Sequence, residues 1–271
     1  MKVLITGHVG FIGSHVYSHW KANHDVVGID RPDDIEDFEG GDYDLVIHLA
    51  AYADIRDSIE DPNKYYTNNV VKTKKLFDWC RETNTRLLYA SSSAVEGAYW
   101  ENPYAMTKWI NEQMAPPNSV GMRFTTVFGP GSRRNMMYRM LQDKTAKYVT
   151  NHKRDWIHVK DVCSAIECLA YSDFTGPISV GSGDLTSVRE LAEVMGMGHL
   201  PVKEDTPGER EENLADITEL RKLGWFPTIN ILHSVQGDGN DTELAAPFEE
   251  MPEETLTPSG FEISPPSIEP L

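Results

Sequence analysis

The chain is poor in cysteine, in basic residues and in long apolar runs. Its 3 cysteines in 271 residues are Cys80, Cys163 and Cys168, an odd number without a Cys-x-x-Cys pair. A disulfide framework is therefore not expected, and a reducing compartment fits. The 9 histidines form neither His-Glu-x-x-His nor a Cys/His cluster, so no protein-bound metal is expected. No stretch approaches the roughly 20 apolar residues that a membrane helix needs. The apolar part of Met1-Lys2-Val3-Leu4-Ile5-Thr6-Gly7 meets a glycine turn before it reaches signal-peptide length. A cytoplasmic protein with no membrane partner is the expectation, and no internal repeat alters it.

Positive charge is also scarce: 25 Lys and Arg stand against 42 Asp and Glu, a formal net charge of -17. Such a field repels nucleic acid. The charge is uneven. Residues 236–271 carry nine acidic residues, six prolines and no Lys or Arg, which leaves -8 on the rest. A segment of that composition cannot bury enough apolar surface to order itself, so an acidic, proline-rich, disordered tail is expected over 236–271. Any polyanionic ligand must then be met by local Arg, Lys and backbone N–H groups.

What is present is a strand–helix alternation. Val3-Leu4-Ile5-Thr6 reads as a buried strand, and Phe11–Lys21 as a helix. Val26-Val27-Gly28-Ile29-Asp30, Leu45-Val46-Ile47-His48-Leu49-Ala50, Arg86-Leu87-Leu88-Tyr89-Ala90 and the stretch 120–125 read as further strands, with helical length over 62–81. This pattern implies a parallel sheet with helices on both faces. Beyond about residue 125 the segments shorten around Gly129-Pro130-Gly131, Gly176-Pro177 and Gly181-Ser182-Gly183, and Ser187-Val188-Arg189-Glu190 is a capping box opening a helix through Met195. The expected organisation is an α/β, Rossmann-type, doubly wound domain over 1–125. A smaller substrate-binding lobe, partly interleaved with the sheet, follows over 126–235, and then the tail.

Gly7-His8-Val9-Gly10-Phe11-Ile12-Gly13 follows a strand and opens a helix. Glycines there let the backbone approach a dinucleotide pyrophosphate, and the helix N-terminus faces its charge. A tight turn without a ligand is the plain alternative. Asp30, at the end of the second strand, can accept both adenosine ribose hydroxyls and repel a 2′-phosphate, which selects NAD over NADP. Arg31 beside it weakens that exclusion, and a simple turn residue is the other reading of Asp30.

Ser91-Ser92-Ser93 precedes Tyr104-Ala105-Met106-Thr107-Lys108. Tyr-x-x-x-Lys on a helix puts both side chains on one face. Lys108 can then stabilise a phenolate at Tyr104, whose ordinary pKa near 10 makes it a poor base at neutral pH. Tyr17-x-x-x-Lys21 has the same spacing and reads as surface. The serine cluster upstream distinguishes Tyr104.

Taken in order, these segments resemble the extended short-chain dehydrogenase/reductases, in particular the nucleotide-sugar epimerase/dehydratase group, over residues 1 to about 235. The matching stretches are Thr6-Gly7-x-x-Gly10-Phe11-Ile12-Gly13-Ser14-His15, His48-Leu49-Ala50-Ala51, Tyr65-Tyr66-Thr67-Asn68-Asn69-Val70 and Ser91-Ser92-Ser93-Ala94-Val95-Glu96-Gly97. Tyr104-x-x-x-Lys108, Arg123-Phe124-Thr125-Thr126-Val127-Phe128-Gly129-Pro130, Arg154-Asp155-Trp156-Ile157-His158-Val159-x-Asp161 and Pro207-Gly208-Glu209 complete them. The resemblance implies that Ser92, Tyr104 and Lys108 are catalytic. It implies that Gly7, Gly10, Phe11, Ile12, Gly13, Asp30, Asp34, Ile35, Leu49, Ala50, Ala51 and Asn69, with Tyr104 and Lys108, bind NAD. It implies a substrate site of Ser92, Ser93, Thr126, Arg133, Tyr148, Arg154 and Arg210, where Arg154 meets the diphosphate and Tyr148 stacks on the base. A core strand residue is the other reading of Tyr148. It also implies a homodimer, paired through the helices around 62–81 and 104–114.

Dehydratases of the group resemble Thr-Asp-Glu where this chain has Ser92-Ser93-Ala94, so elimination and decarboxylation are disfavoured. Thr126 and Arg133 are more like the uronate 4-epimerases, in which the arginine grips the sugar carboxylate. A solvated loop arginine or a phosphate contact is the alternative at Arg133. Only fourteen residues, 31–44, separate the second and third strands, and only six separate Gly97 from Tyr104, so the chain is a trimmed version. Glu96 stands in place of a frequent Tyr, and Thr206 in place of an Arg whose diphosphate contact Arg210 can take over. The expected function is NAD-dependent epimerisation at C4 of a UDP-hexose or UDP-hexuronate through a transient 4-keto sugar. The rivals are a reductase or dehydrogenase of a nucleotide-deoxysugar and a non-catalytic Rossmann binding or sensor protein.

Overall fold

The computed structural model describes residues 1–31, 34–203 and 210–237. Thr206, Pro207-Gly208-Glu209 and nearly all of the acidic tail lie outside the described residues.

Chain order explains the architecture. Strand β1 (Lys2–Thr6), apolar at Val3, Leu4 and Ile5, leads through the glycine loop into α1 (Phe11–Lys21), followed by β2 (Asp25–Ile29). Strand β3 is Leu45–His48, followed by α2 (Ile55–Glu60) and α3 (Pro62–Tyr66). A π-helical turn, Thr67–Lys72, joins α3 to α4 (Thr73–Thr83). Next come β4 (Arg86–Ser92), α5 (Pro103–Met114) and β5 (Ser119–Phe124). The second half holds β6 (Thr126–Phe128), α6 (Met137–Gln142), β7 (Lys153–His158), α7 (Val159–Ala170), β8 (Gly176–Val180), β9 (Leu185–Ser187) and α8 (Val188–Val194). Short helices α9 (Thr218–Lys222) and α10 (Ile231–Val235) close the described chain.

The main sheet has six strands in the order β2-β1-β3-β4-β5-β8, and every pairing in it is parallel. Alternate side chains feed two cores. Val3, Ile5, Leu45, Ile47 and Leu88 meet α1 and α7 on one face, while Leu4, Val46, Leu87 and Tyr89 meet Leu76, Phe77 and Cys80 of α4 on the other. A sheet buried on both faces reads as continuous apolar runs rather than as an alternation. The chain leaves β1 for β2 on one side and returns to β3 on the other. The crevice at that reversal, above Thr6 and His48, is where doubly wound sheets bind ligands.

The smaller sheet, β6-β7-β9, covers a second cluster built on Phe128, Tyr138, Trp156, Leu191 and Ile231. Strand β8 and helix α7 lie within 126–235 yet belong to the main sheet and its core. Sequence order and lobe membership therefore part there.

Three expectations need adjustment. The stretch 62–81 is not one regular helix: the π turn widens it so that Asn69 and Val70 point inward. π turns of this kind occur mostly at functional sites. Tyr148 is not a core strand residue; it is part-exposed in irregular chain just before the Val149–Val202 bridge. Tyr17 is not a free surface residue either, since its ring is packed against the main core. Among the described residues no helix is long and apolar enough to cross a membrane.

Candidate active site

The glycine loop shows why glycine is required. Gly7 has φ +74°, and a Cβ there would come within 2.6 Å of the Ala50 backbone nitrogen. A Cβ on Gly13 would meet the Gly7 carbonyl oxygen at 1.9 Å. The loop, the start of α1 and the chain after β3 are thus pressed backbone to backbone. Gly10 is the N-cap of α1 with no side-chain cap, and the first turn carries no acidic residue. The leading N–H groups of α1 are therefore left for an anion. Asp30, just past the end of β2, accepts from the Val9 N–H at 3.0 Å and the Arg31 N–H at 2.8 Å. Its carboxylate is thereby fixed beside the loop. An uncapped helix start, a cradle without side chains and a carboxylate at the next strand end fit a dinucleotide.

On β3, the buried His48 lies between two hydroxyls, Thr6 Oγ1 at 2.7 Å and Thr73 Oγ1 at 3.1 Å. The Ala50 N–H donates to the same Thr6 hydroxyl at 3.3 Å. Burial, with the Lys108 charge as a lesser cause, pushes His48 down to about 3, so it is neutral. Leu49, Ala50 and Ala51 lie at the mouth of this network. Asn69 departs from expectation. It is 0% exposed, donates to the Tyr52 carbonyl and accepts from the Tyr52 N–H, both at 2.9 Å, and donates to Thr107 Oγ1 at 3.2 Å. With no surface open to a ligand, it shapes the loop after Ala51 and ties it to α5. Ile35 is likewise buried in the core, while Asp34 caps the turn at Ile35–Asp37 and pairs with Lys72.

Helix α5 begins at Pro103, and its N-cap Asn102 accepts from the Ala105 N–H at 2.7 Å. Tyr104 and Lys108 therefore stand one turn apart near the helix start. Ser92, at the end of β4, lies near enough to the Tyr104 hydroxyl to lower its pKa, and its own Oγ accepts from the Ala94 N–H at 3.2 Å. Lys108, 2% exposed, places Nζ 6.0 Å from the Tyr104 ring centroid and donates to the Ala90 carbonyl at 2.8 Å. Burial pushes Lys108 down to about 8. Tyr104 is raised, because burial outweighs the Ser92 hydrogen bond that lowers it. Desolvation is the largest effect on the phenol, so a phenolate at Tyr104 needs the help of charged neighbours such as Lys108.

The substrate-side candidates fall into two groups. Ser93 is buried beside Ser92, and its carbonyl accepts from Arg210 Nη1 at 3.0 Å. Arg154 Nη1 donates to the carbonyls of Arg210 and Glu211 at 2.8 and 3.2 Å, so it holds the segment that carries Arg210. Thr126 Oγ1 accepts from Asn213 at 3.3 Å. Ser93, Arg154 and Thr126 are thus linked to one another through the segment 210–213, which carries Arg210. Tyr148 lies apart, its hydroxyl accepting from Arg56 at 3.1 Å and its ring facing the Lys203 ammonium at 5.1 Å. Arg133 lies elsewhere again, on the glycine loop, with Nη2 3.9 Å from the position a Gly10 Cβ would take.

Two buried centres carry no role in the sequence reading. Glu112 of α5 accepts from Ser91 Oγ at 2.6 Å and from Arg123 Nε and Nη2 at 2.9 and 2.7 Å, joining α5 to β4 and β5 beneath the catalytic hydroxyls. Asp155 is 0% exposed and accepts from Ser182 N, Gly183 N and Ala215 N at 2.6, 2.9 and 3.1 Å. Spacing flags neither, because all these partners are distant in sequence. Among the described residues no cluster of three or more His, Cys, Asp or Glu could hold a metal.

The profile of the NAD dependent epimerase/dehydratase family matches residues 3–180, so the chain belongs to that family and NAD is its cofactor. It is 33% identical over 230 residues to Protein CapI of Staphylococcus aureus, covering 62% of this chain and 69% of that one. It is 29% identical over 248 residues to UDP-glucuronate 4-epimerase 4 of Arabidopsis thaliana, covering 68% of this chain and 56% of that one. Among solved structures, MoeE5 in complex with UDP-glucuronic acid and NAD superposes with a TM-score of 0.77 at 26% identity, covering 87% of this chain and 97% of that one.

Proposed function

We propose that the protein epimerises C4 of a UDP-linked hexose or hexuronate through a transient 4-keto sugar. The observation that carries this reading is the placing of Tyr104 one helical turn before Lys108, whose Nζ is anchored on the Ala90 carbonyl of the strand that ends in Ser92. When bound, NAD supplies the reversible two-electron oxidation of the C4 carbon. The chain moves the proton. Ser92 orients the C4 hydroxyl, Tyr104 takes its proton and returns one to the keto oxygen, and Lys108 favours the phenolate stage. General acid–base help of this kind contributes roughly 10²–10⁴-fold.

Elimination of water needs an acid that this segment lacks. Ser92-Ser93-Ala94 contains none, and Glu96 is engaged by Ser179 Oγ at 2.6 Å and Arg123 Nη1 at 3.4 Å. Arg154 and Arg210 supply cations for the substrate diphosphate in a chain whose overall charge repels it. Tyr148 offers a ring face to the base. The names of the relatives, UDP-glucuronate 4-epimerase among them, support a uronate or hexose substrate.

The test is product analysis of the full chain with a panel of UDP-sugars and no added cofactor. The expected result is the 4-epimer at catalytic turnover. Conversion that requires stoichiometric reduced cofactor would support a reductase instead, and binding without conversion would support a sensor.

A further inference from the structure

The loop 129–134 follows β6 and lies across the glycine loop rather than over the sugar side. The Pro130 carbonyl is hydrogen-bonded to His15 Nε2 of α1 at 2.9 Å, and a Cβ on Gly131 would come to 3.7 Å from the Phe11 ring and 3.8 Å from His15. The loop is also fixed from within and from its far end. Ser132 Oγ donates to the Gly129 carbonyl at 2.7 Å, and Asn135 Nδ2 donates to Asp54 Oδ2 at 2.9 Å. These ties leave little freedom in where residue 133 can sit. The Arg133 side chain reaches back over the cradle, Nη2 lying 3.9 Å from where a Gly10 Cβ would be. Its guanidinium has no hydrogen bond or ion pair among the described residues.

We infer that Arg133 is a cofactor-binding residue: it supplies the cation that meets the dinucleotide pyrophosphate opposite the N-terminus of α1. The physical case is one of charge balance. A chain of net charge -17 repels a dinucleotide at long range. The loop itself offers only N–H dipoles, and Asp30 brings a carboxylate to the same site. A planar guanidinium is well suited to a pyrophosphate, which it can grip with two parallel hydrogen bonds. An unpaired guanidinium already held over the glycine cradle needs no rearrangement to do so. The inference rests on the NAD assignment but not on the sugar or on the direction of the chemistry. It differs from a grip on a sugar carboxylate, which would leave cofactor affinity unchanged.

The test is a titration of the full chain with NADH, read by nucleotide fluorescence at several salt concentrations. Wild type, Arg133→Lys, Arg133→Gln and, as a substrate-side comparison, Arg154→Gln are measured. Arg133→Gln is expected to weaken NADH binding about 10- to 100-fold, the range for a lost hydrogen bond to a charged group. It should also flatten the dependence of affinity on salt, because one screened charge pair is gone. Arg133→Lys should keep part of the affinity, and Arg154→Gln should bind NADH as wild type does. Thermal melting checks that each variant is folded. Wild-type affinity and wild-type salt dependence in folded Arg133→Gln would overturn the inference and return Arg133 to the substrate. Failure of wild type to bind NADH would overturn the cofactor assignment as well.

Discussion

Lys108 Nζ donates to the Ala90 carbonyl at 2.8 Å, so the helix that carries Tyr104 is tied to the strand that ends in Ser92. This tie sets the spacing of Ser92 and Tyr104, the two hydroxyls proposed for the chemistry. It also buries an ammonium that water would otherwise solvate, and that burial lowers its pKa.

Tyr104→Phe should abolish turnover while leaving NAD binding and folding intact. The ring keeps its edge-on packing against Tyr65, with centroids 6.4 Å apart, and only the hydroxyl is lost. A loss of at least about 10²-fold is expected. Tyr17→Phe is the control: Lys21 Nζ lies 5.2 Å from the Tyr17 ring centroid, much as Lys108 lies from Tyr104, but no serine strand faces it. Steady-state rates of the two variants decide the matter. Near-normal turnover in Tyr104→Phe would remove Tyr104 from the chemistry.

Lys108→Met should cost activity yet stabilise the fold. The folded-state value of about 8 is below the ordinary lysine value of 10.5. The native state therefore resists protonation at this site, and stability present above pH 10.5 is lost as pH falls towards 8. At neutral pH the wild type carries that penalty in full. Removing the ammonium should raise stability by on the order of 1–3 kcal/mol, less whatever the unpaired Ala90 carbonyl costs. Denaturant unfolding at pH 7 measures it, and a clear drop in midpoint would contradict the argument.

His48 should govern acid stability. Its folded value of about 3 lies below the ordinary histidine value of 6.5. Stability is full above pH 6.5 and falls below it, at up to roughly 1.4 kcal/mol per pH unit. Asp34, Asp57 and Asp78, all lowered from 3.8, act only at lower pH, so in the window between 4 and 6.5 the His48 share is the difference between wild type and a His48 variant. His48→Gln should flatten the melting temperature across that window. A wild-type slope in the variant would show that another group is responsible.

Asp155→Asn should loosen the second lobe. Its carboxylate accepts from Thr125 Oγ1 at 3.3 Å in addition to Ser182, Gly183 and Ala215. An amide would turn a donor towards these donors. A cost of about 2–4 kcal/mol is expected, enough to lower the melting temperature by on the order of 5 °C or more. Calorimetry checks this, and an unchanged melting temperature would mean that the four partners hold without it.

The sequence by itself determined five of the six strands of the main sheet, the glycine loop and the grouping of Ser92, Tyr104 and Lys108, because each is a local pattern; the sixth strand, β8, lies where the sequence shows only the Gly176-Pro177 turn. Apolar runs mark strands buried on both faces, and helix α1 fell at Phe11–Lys21, where the glycines and the apolar spacing put it. Local pattern does not carry long-range partners. Only the tertiary structure decided that Asn69 is turned inward onto Tyr52 by a π turn, and that Glu112 and Arg123 brace the catalytic helix. It also decided that Arg133 lies on the glycine loop. The physical reason is that hydrogen bonds and ion pairs between residues tens of positions apart depend on where packing brings their backbones. Burial depends on the same packing. It therefore decided the direction in which the pKa values of Lys108 and Tyr104 move, which residue type alone could not.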